Sequence, residues 1–166
     1  MEGSTLLLVN FIARLWNVLS PSLRRNLIWL LHAKFIHGVS GIILDRHGRV
    51  LLLQHRFWKG QRWGLPGGLA RYGESIGATL RRELLEEAGL VVRPIKLLRV
   101  NTSRGILAQF ILHAESTGTP EARPPEILDA RFWDLADLPE NLQPDHRDLL
   151  RELPGLLDIP GLPVDP

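Results

Sequence analysis

The chain contains no cysteine, and its 166 residues include only one methionine and one tyrosine. Without cysteine there are no disulfides, no thiolate zinc ligands and no cysteine nucleophile. Metal chemistry is therefore restricted to oxygen and imidazole ligands. The composition permits a reducing compartment, and we expect a cytoplasmic protein.

The chain also has neither a large excess of one charge nor a long apolar run. The net charge is +2, which is too balanced for a typical nucleic-acid binder, so we expect no stable nucleic-acid complex. A membrane-spanning helix needs roughly 20 apolar residues, but Asn10, Arg14 and Asn17 interrupt the first apolar stretch and Pro21 ends it. We expect no transmembrane segment. We expect no signal peptide either, because the basic residues follow the apolar run.

The first 37 residues predict an amphipathic helical extension. Two helices are expected, at about 5–19 and 22–35, with Ser20 capping the second helix and Pro21 in its first turn. Their apolar faces can pack on the rest of the chain or on a partner subunit. We favour a homodimer formed through these helices as a hypothesis.

A second interpretation of the extension is peripheral membrane contact. The helix pair would then lie on an anionic lipid surface, with Trp16 and Trp29 at the boundary between headgroups and acyl chains.

From residue 38 the hydrophobic pattern becomes typical of strands. Two strands joined by a turn at His47-Gly48 come first, and a glycine-containing loop leads to one helix that stops at Gly89. Strands on both sides of a helix predict an α/β domain with a mixed sheet. The expected core is 38–143, and 144–166 is expected to form one helix to residue 153 and then an extended, Pro-rich tail. The predicted segments are strands 38–45, 50–56, 90–101, 105–115 and 128–135, and helix 74–88.

The predicted helix carries three glutamates within five residues, Glu83, Glu86 and Glu87. At 100° per residue they share one arc, opposite the apolar side. Like charges at i and i+4 cost roughly 0.2–0.5 kcal/mol, so this face repels itself unless a cation is present. The side expected to be buried consists of Ala78, Leu80, Leu84, Leu85 and Ala88.

Arg82 lies beside Glu86 on the wheel and can orient a carboxylate. The preceding glycine loop can present backbone carbonyls at the same place. Carboxylates and a carbonyl are the ligands that Mg²⁺ or Mn²⁺ accept, and Mg²⁺ prefers to share its site with substrate phosphates. This pattern favours chemistry on a diphosphate.

The same stretch resembles the signature of the Nudix hydrolases, which specifies a glycine, five residues, a glutamate, seven residues, an Arg-Glu pair, and then Glu-Glu and Gly. Nine specified positions at fixed spacing make the resemblance specific, and it extends plausibly over residues 38–140. It implies a Nudix-type α/β/α sandwich with a mixed sheet. The matching residues are Gly68, Glu74, Arg82, Glu83, Leu84, Glu86, Glu87, Gly89 and Leu90.

The resemblance also implies a reaction: hydrolysis of a nucleoside diphosphate linked to another moiety, by water activated with Mg²⁺ or Mn²⁺. Glu83 and Glu87 would be the principal metal ligands, and Glu86 a further ligand or an aid to the water. The carbonyl of Gly67 would be a backbone ligand. Structural roles would fall to Gly68, Glu74, Arg82 and Gly89.

In this family a further acid from a later loop often completes the site or serves as base. Glu126 is the first candidate, because it directly precedes the last predicted strand. Glu121 and Glu115 are weaker candidates. A general base contributes roughly 10²–10⁴ in rate.

The substrate is expected to be a small nucleotide or nucleoside diphosphate derivative, but no pattern outside the signature identifies it. Phe57, Trp58 and Trp63 can stack on a base. Histidine 55 is interpreted as a strand residue rather than a ligand, and the other histidines form no metal-spaced cluster. The basic residues that can grip phosphate are Arg56, Lys59, Arg62 and Arg104.

Two alternative functions stay open. The chain can be a non-catalytic nucleotide-sensing module of the same fold, because a fold does not fix a function. It can also be a membrane-associated hydrolase of lipid-linked diphosphates, an interpretation that depends only on residues 1–37.

Overall fold

A computed structural model describes residues 2–31, 35–60, 62–103, 107–116, 118–158 and 162–163. The chain separates into two compact units, residues 1–34 and 35–166. None of the described helices is long and apolar enough to cross a lipid bilayer.

The first unit contains two helices, α1 (Glu2–Val18) and α2 (Pro21–Leu31). The predicted start of the second helix is confirmed, since the Leu23 amide donates to the Ser20 hydroxyl at 3.3 Å. Arg24 satisfies the end of α1, donating to the Leu19 carbonyl at 3.0 Å and to the Asn17 carbonyl at 2.7 Å. A cation at a helix C-terminus also complements the helix dipole.

The second unit is built on an eight-stranded sheet in the order β3-β2-β1-β6-β5-β8, with β4 paired to β1 and β7 paired to β2. The pairing of β1 with β6 is parallel, whereas the other named strand pairs are antiparallel. The sheet is therefore mixed, as predicted. Its strands are β1 (Ile36–Leu44), β2 (Val50–His55), β3 (Trp63–Gly64), β4 (Gly67–Leu69), β5 (Val92–Ser103), β6 (Leu107–Ser116), β7 (Ile127–Trp133) and β8 (Leu162–Pro163).

The described residues of this unit form three helices, which pack into two different hydrophobic clusters. Side chains alternate between the two faces of a strand, so neighbours such as Ile42 and Ile43 enter different clusters. The first cluster includes residues of α3, and the second includes residues of α4 and α5. This arrangement confirms the α/β/α sandwich. The helices are α3 (Ile76–Ala88), α4 (Pro144–Arg151) and α5 (Leu153–Asp158).

The C-terminal region corrects one prediction. The segment after residue 153 was expected to be extended, but Leu153–Asp158 is helical. Pro154 lies in the first turn, where proline is tolerated. Leu153 is only 1% exposed and packs in the second cluster, so tertiary packing outweighs the local sequence signal.

Candidate functional site

Helix α3 is fixed at both ends by its own sequence. Ser75 is the N-cap, and its hydroxyl accepts from the Ala78 amide at 3.2 Å. Gly89 ends the helix in the left-handed conformation with φ of 66°, which glycine adopts without the usual penalty. The helix that carries the glutamates therefore begins and ends at defined residues.

Arg82 ties the loop before α3 to the helix. Its guanidinium donates twice to the Glu74 carboxylate, at 2.9 Å each, and once to the Leu69 carbonyl at 3.0 Å. Hydrogen bonds from the Arg82 side chain, the Arg71 amide and the Thr79 hydroxyl lower the pKa of Glu74 to about 2. Arg82 and Glu74, two of the four signature residues expected to be structural, thus form a bidentate, charge-assisted pair.

The glycine loop lies directly against the carboxylates. Gly67 has φ of 146°, and a Cβ there would stand 2.0 Å from the Val39 carbonyl oxygen. A Cβ on Gly68 would stand 2.3 Å from Glu83 Oε1. The Gly67 amide donates to Glu87 Oε2 at 3.0 Å. Two adjacent glycines are therefore needed for β4 to approach both β1 and residues 83–87 of α3, which we call the acidic turn.

The three glutamates differ in exposure, which corrects the helical-wheel prediction. Glu86 is half exposed, Glu83 keeps only 15% of its side-chain surface, and Glu87 is 8% exposed. Leu85, expected on the buried side, is 47% exposed. The wheel described the contacts of one isolated helix, whereas the glycine loop covers Glu83 and Glu87 from outside it.

Arg82 also neutralises part of the acidic face. Its guanidinium lies 2.7 Å from Glu83 and 3.2 Å from Glu86. The hydrogen bonds to Glu74 and then to Glu83 raise the pKa of Arg82, against the effect of burial. Arg71 makes a second contact with Glu86 at 3.2 Å. The positively charged Arg82 side chain therefore orients the carboxylates of Glu83 and Glu86.

Glu87 has no such cationic partner in the described contacts. Burial raises its pKa to about 8, and the negative charges of Glu83, Glu126 and Glu86 act in the same direction, against the hydrogen bond from the Gly67 amide. A buried carboxylate crowded by other carboxylates is the arrangement that a divalent cation would relieve.

The structure brings Glu126 beside Glu87, although 38 residues separate the two in the sequence. A ring nitrogen of His55 and carboxylate oxygens of Glu87 and Glu126 all lie within 4.8 Å of one another. Glu121 and Glu115 do not belong to this group. The sequence analysis assigned His55 no role in the site. The available signal was its position at the end of a buried strand, just before the loop that leads to Gly67 and Gly68.

A cavity of about 1020 Å³ borders the glycine loop. Gly67 and Gly68 form part of its wall, and Trp58 lines it, as expected for one of the predicted stacking residues. Several further polar side chains lie in the wall, and four of those gathered from β5, β6 and α4 gave no signal in the sequence. They are Asn101, Gln109, Asp145 and His146.

Other predicted substrate residues lie elsewhere. Trp63 corrects the prediction: it is 6% exposed and packs in the second core cluster, edge-on to Trp133 at 5.2 Å. Arg56 donates to the Pro125 carbonyl at 2.7 Å, and Arg62 to the Gln143 side chain at 3.3 Å. Neither arginine lines the described cavity. Arg104 falls outside the described residues.

His146 occupies the cavity wall in a neutral state. Its Nδ1 accepts from the Leu65 amide at 3.1 Å, which assigns the proton of the neutral ring to Nε2. Burial lowers its pKa to about 4, against the opposing effect of Asp145. Trp58 lies between His146 and His55, stacked on His55 at 3.9 Å.

Comparison with known proteins agrees with this geometry. The family model for the NUDIX domain matches residues 34–153. An 8-oxo-dGDP phosphatase, NUDT18 of Danio rerio, is 35% identical over 119 residues, covering 68% of this chain and 34% of the relative. An ADP-ribose pyrophosphatase of Methanocaldococcus jannaschii is 30% identical over 122 residues, covering 69% of this chain and 70% of the relative.

A shorter match is more similar: a nucleoside diphosphate-linked moiety X motif 6 protein of Xenopus laevis is 50% identical over 54 residues, 32% of this chain and 25% of the relative. The chain thus spans only 25% to 34% of the first curated relatives that it matches.

Among solved structures, the MutT NUDIX hydrolase of Burkholderia pseudomallei is 26% identical with a TM-score of 0.63, covering 72% of this chain and 98% of that one. The sheet, the capped acidic helix, the glycine loop and the family match over residues 34–153 lead to one conclusion: this chain belongs to the Nudix family.

Proposed function

We propose that the chain is a divalent-metal-dependent hydrolase that cleaves the phosphoanhydride of a nucleoside diphosphate linked to another moiety. One observation carries the proposal: the glycine loop that forms part of the wall of a 1020 Å³ cavity also lies against Glu83 and Glu87. A diphosphate held in this cavity would therefore contact the same glycine loop that Glu83 and Glu87 contact.

The residues fit a cation of the Mg²⁺ or Mn²⁺ class. Glu83, Glu86 and Glu87 supply carboxylate oxygens, and the Gly67 carbonyl is the backbone ligand in this proposal. The raised pKa of Glu87 and the crowding by its neighbours mean that the ionised form gains from a cation. When bound, such an ion neutralises the diphosphate and lowers the pKa of a water toward neutrality.

The other residues of the Nudix signature keep the glycine loop and the acidic helix in place. Arg82 and Glu74 fix the loop to the helix through two 2.9 Å hydrogen bonds, while Gly68 leaves room for Glu83. Gly89 ends the helix directly after the acidic turn. Their role in the proposal is to position the carboxylates, without contact to the reacting atoms.

Glu126 is the general base of the proposal. It is exposed, and its carboxylate lies in the group with Glu87 and His55, so a water between the cavity and Glu87 is within its reach. An exposed carboxylate next to a cation site can accept a proton from the attacking water.

The substrate class follows from the cavity and from the relatives. Trp58 offers an aromatic surface beside Asn101, Gln109 and Asp145, which provide donors and acceptors for a base or sugar. Relatives named as an 8-oxo-dGDP phosphatase and an ADP-ribose pyrophosphatase define the first substrates to test. Oxidised purine nucleoside diphosphates and ADP-ribose therefore head the panel.

The test compares Glu87→Gln with the wild type on this panel, in Mg²⁺ and in Mn²⁺, by release of phosphate-containing products. Glu87→Gln should lower kcat by at least about 10². Glu115→Gln is the matched control, because Glu115 is an exposed glutamate paired with Arg93 at 2.8 Å. Binding of a panel nucleotide without turnover in either metal would contradict the proposal and favour a sensing module.

We also propose that the helical extension mediates a homodimer. Apolar side chains of the described part of α1 are exposed, including Leu7 at 73%, Phe11 at 65% and Leu15 at 56%. Light scattering should give a dimer for the full chain and a monomer for Phe11→Glu/Leu15→Glu. A monomeric wild type that binds anionic liposomes would instead favour membrane contact, the alternative use of these helices.

A further inference from the structure

His55 is a buried polar side chain without a hydrogen-bond partner. It ends β2, is 3% exposed, and neither ring nitrogen has a partner among the described residues. An unsatisfied buried polar group costs about 1–3 kcal/mol, and most such groups in native proteins are paired. The imidazole is therefore destabilising unless something outside the chain binds it.

The orientation of the ring is fixed by its neighbours. Trp58 stacks on His55 with 3.9 Å between ring centroids and 11° between planes. Trp58 in turn packs over Gly64, where a Cβ would stand 2.4 Å from the indole. Trp58 covers one face of the imidazole, and the ring nitrogens, whose lone pair and N–H lie in the ring plane, can reach a ligand at the ring edge.

Carboxylates from two other elements meet that edge. Glu87 from α3 and Glu126 from the loop before β7 each place an oxygen within 4.8 Å of a His55 nitrogen and of each other. Three ligands spread evenly around an ion, each about 2.1 Å away, stand about 3.6 Å apart. The three atoms therefore reach one ion if side-chain rotation brings them about 1 Å closer to one another.

We propose that His55, Glu87 and Glu126 form a binding site for a divalent transition-metal ion, with the imidazole as its nitrogen ligand. One neutral nitrogen and two carboxylates suit a transition metal, whereas Mg²⁺ takes oxygen ligands. The site shares Glu87 with the proposed carboxylate site and Glu126 with the proposed general base, so it rests on the proposed function through these two residues; one oxygen of Glu126 binds the ion, which leaves the other oxygen to accept a proton.

The consequence is a division between metals. An ion held by the imidazole depends on His55, while Mg²⁺ held by oxygen ligands does not. Binding of Mn²⁺ should therefore weaken without His55, and binding of Mg²⁺ should change little. Metal selectivity, rather than activity alone, is the property that this histidine controls.

The experiment uses the full chain labelled with ¹⁵N-histidine and loaded with Mn²⁺. Pulsed electron paramagnetic resonance should show coupling between Mn²⁺ and an imidazole ¹⁵N. His55→Phe keeps an aromatic ring against Trp58 but has no nitrogen, so the coupling should vanish and the Mn²⁺ affinity should fall by about tenfold or more, since even indirect partners of metal ligands contribute that much. His113→Gln removes another sheet histidine, at a β6 position paired with Lys96, and should retain the coupling.

The outcomes separate this proposal from the proposed function. Absence of coupling in the wild type, or its persistence in His55→Phe, overturns the metal site. His55→Gln repeats the test if the phenylalanine variant fails to fold by circular dichroism. Hydrolysis with Mg²⁺ is measured in parallel: turnover without ¹⁵N coupling overturns only the histidine site, and ¹⁵N coupling without turnover in any metal overturns only the hydrolase.

Discussion

Glu87→Gln should make the metal-free protein more stable while it removes activity. The substitution keeps the shape of the side chain and an oxygen that can accept from the Gly67 amide, a bond of 3.0 Å in the wild type. It removes a charge that is buried among other carboxylates. The new amide group can donate to Glu83 or Glu126, both of which lie close to Glu87 and raise its pKa.

The magnitude follows from the titration of Glu87 without metal. Its pKa is raised from 4.5 to about 8 in the folded state, so between these values the folded chain holds a proton that the unfolded chain releases. Stability of the wild type therefore falls as pH rises through this window. At pH 7 the penalty is about 3 kcal/mol, at about 1.4 kcal/mol per pH unit.

Thermal unfolding in EDTA measures this difference. The melting temperature of Glu87→Gln at pH 7 should exceed that of the wild type by roughly 6–12 °C. At pH 5 the difference in unfolding free energy should be below about 1 kcal/mol, which corresponds to less than about 4 °C. Glu115→Gln, an exposed control, should change little. A variant that melts below the wild type at pH 7, or a gap that does not depend on pH, would refute the reasoning.

Three further predictions concern other parts of the structure. Burial lowers the pKa of His146 from 6.5 to about 4, so the unfolded chain binds this proton first and stability is lost as pH falls through that window. Urea titrations at pH 7 and 4.5 should therefore show a smaller loss of unfolding free energy for His146→Gln than for the wild type. An equal loss in the two proteins would contradict this prediction. Gly67→Ala should cost about 2 kcal/mol or more, because its Cβ would meet a carbonyl at 2.0 Å, whereas Gly48→Ala, with open space around it, should cost about 1 kcal/mol; equal melting temperatures of the two variants would oppose this. Arg82→Lys should lower the unfolding free energy by about 1–3 kcal/mol even without metal, since lysine does not reproduce the two bonds to Glu74; wild-type stability in calorimetry would show that the pair is dispensable.

The helix and its last residue could be predicted because their signals, the apolar spacing and Gly89, are local. The start was expected at residue 74, whereas α3 begins at Ile76 after the N-cap Ser75, which the sequence analysis did not use. The sheet followed in outline from the strand-like segments. Family spacing identified the acidic turn before any contact was known.

Burial in the site could not be predicted from the helix alone. Glu87 is covered by Gly67 of β4 and lies near His55 and Glu126, residues that come from other parts of the chain. The two-residue strand β3, which pairs with β2 and carries Trp63 into the core, is too short to leave a periodic signal. Long-range contacts of this kind decide which polar residues meet and which aromatic residue remains available to a ligand.

Main-chain hydrogen bonds fix the segment 121–126, at the end of which Glu126 lies. The amides of Glu121 and Arg123 donate to the last carbonyls of α3, at 2.9 and 3.0 Å, and the Arg56 amide donates to the Glu126 carbonyl at 2.9 Å. Because any amino acid except proline supplies the same amide, most side chains in this segment are free to drift during evolution or to be redesigned. Under the proposed function, substitutions in this segment would therefore change the surroundings of the acidic turn without displacing Glu126.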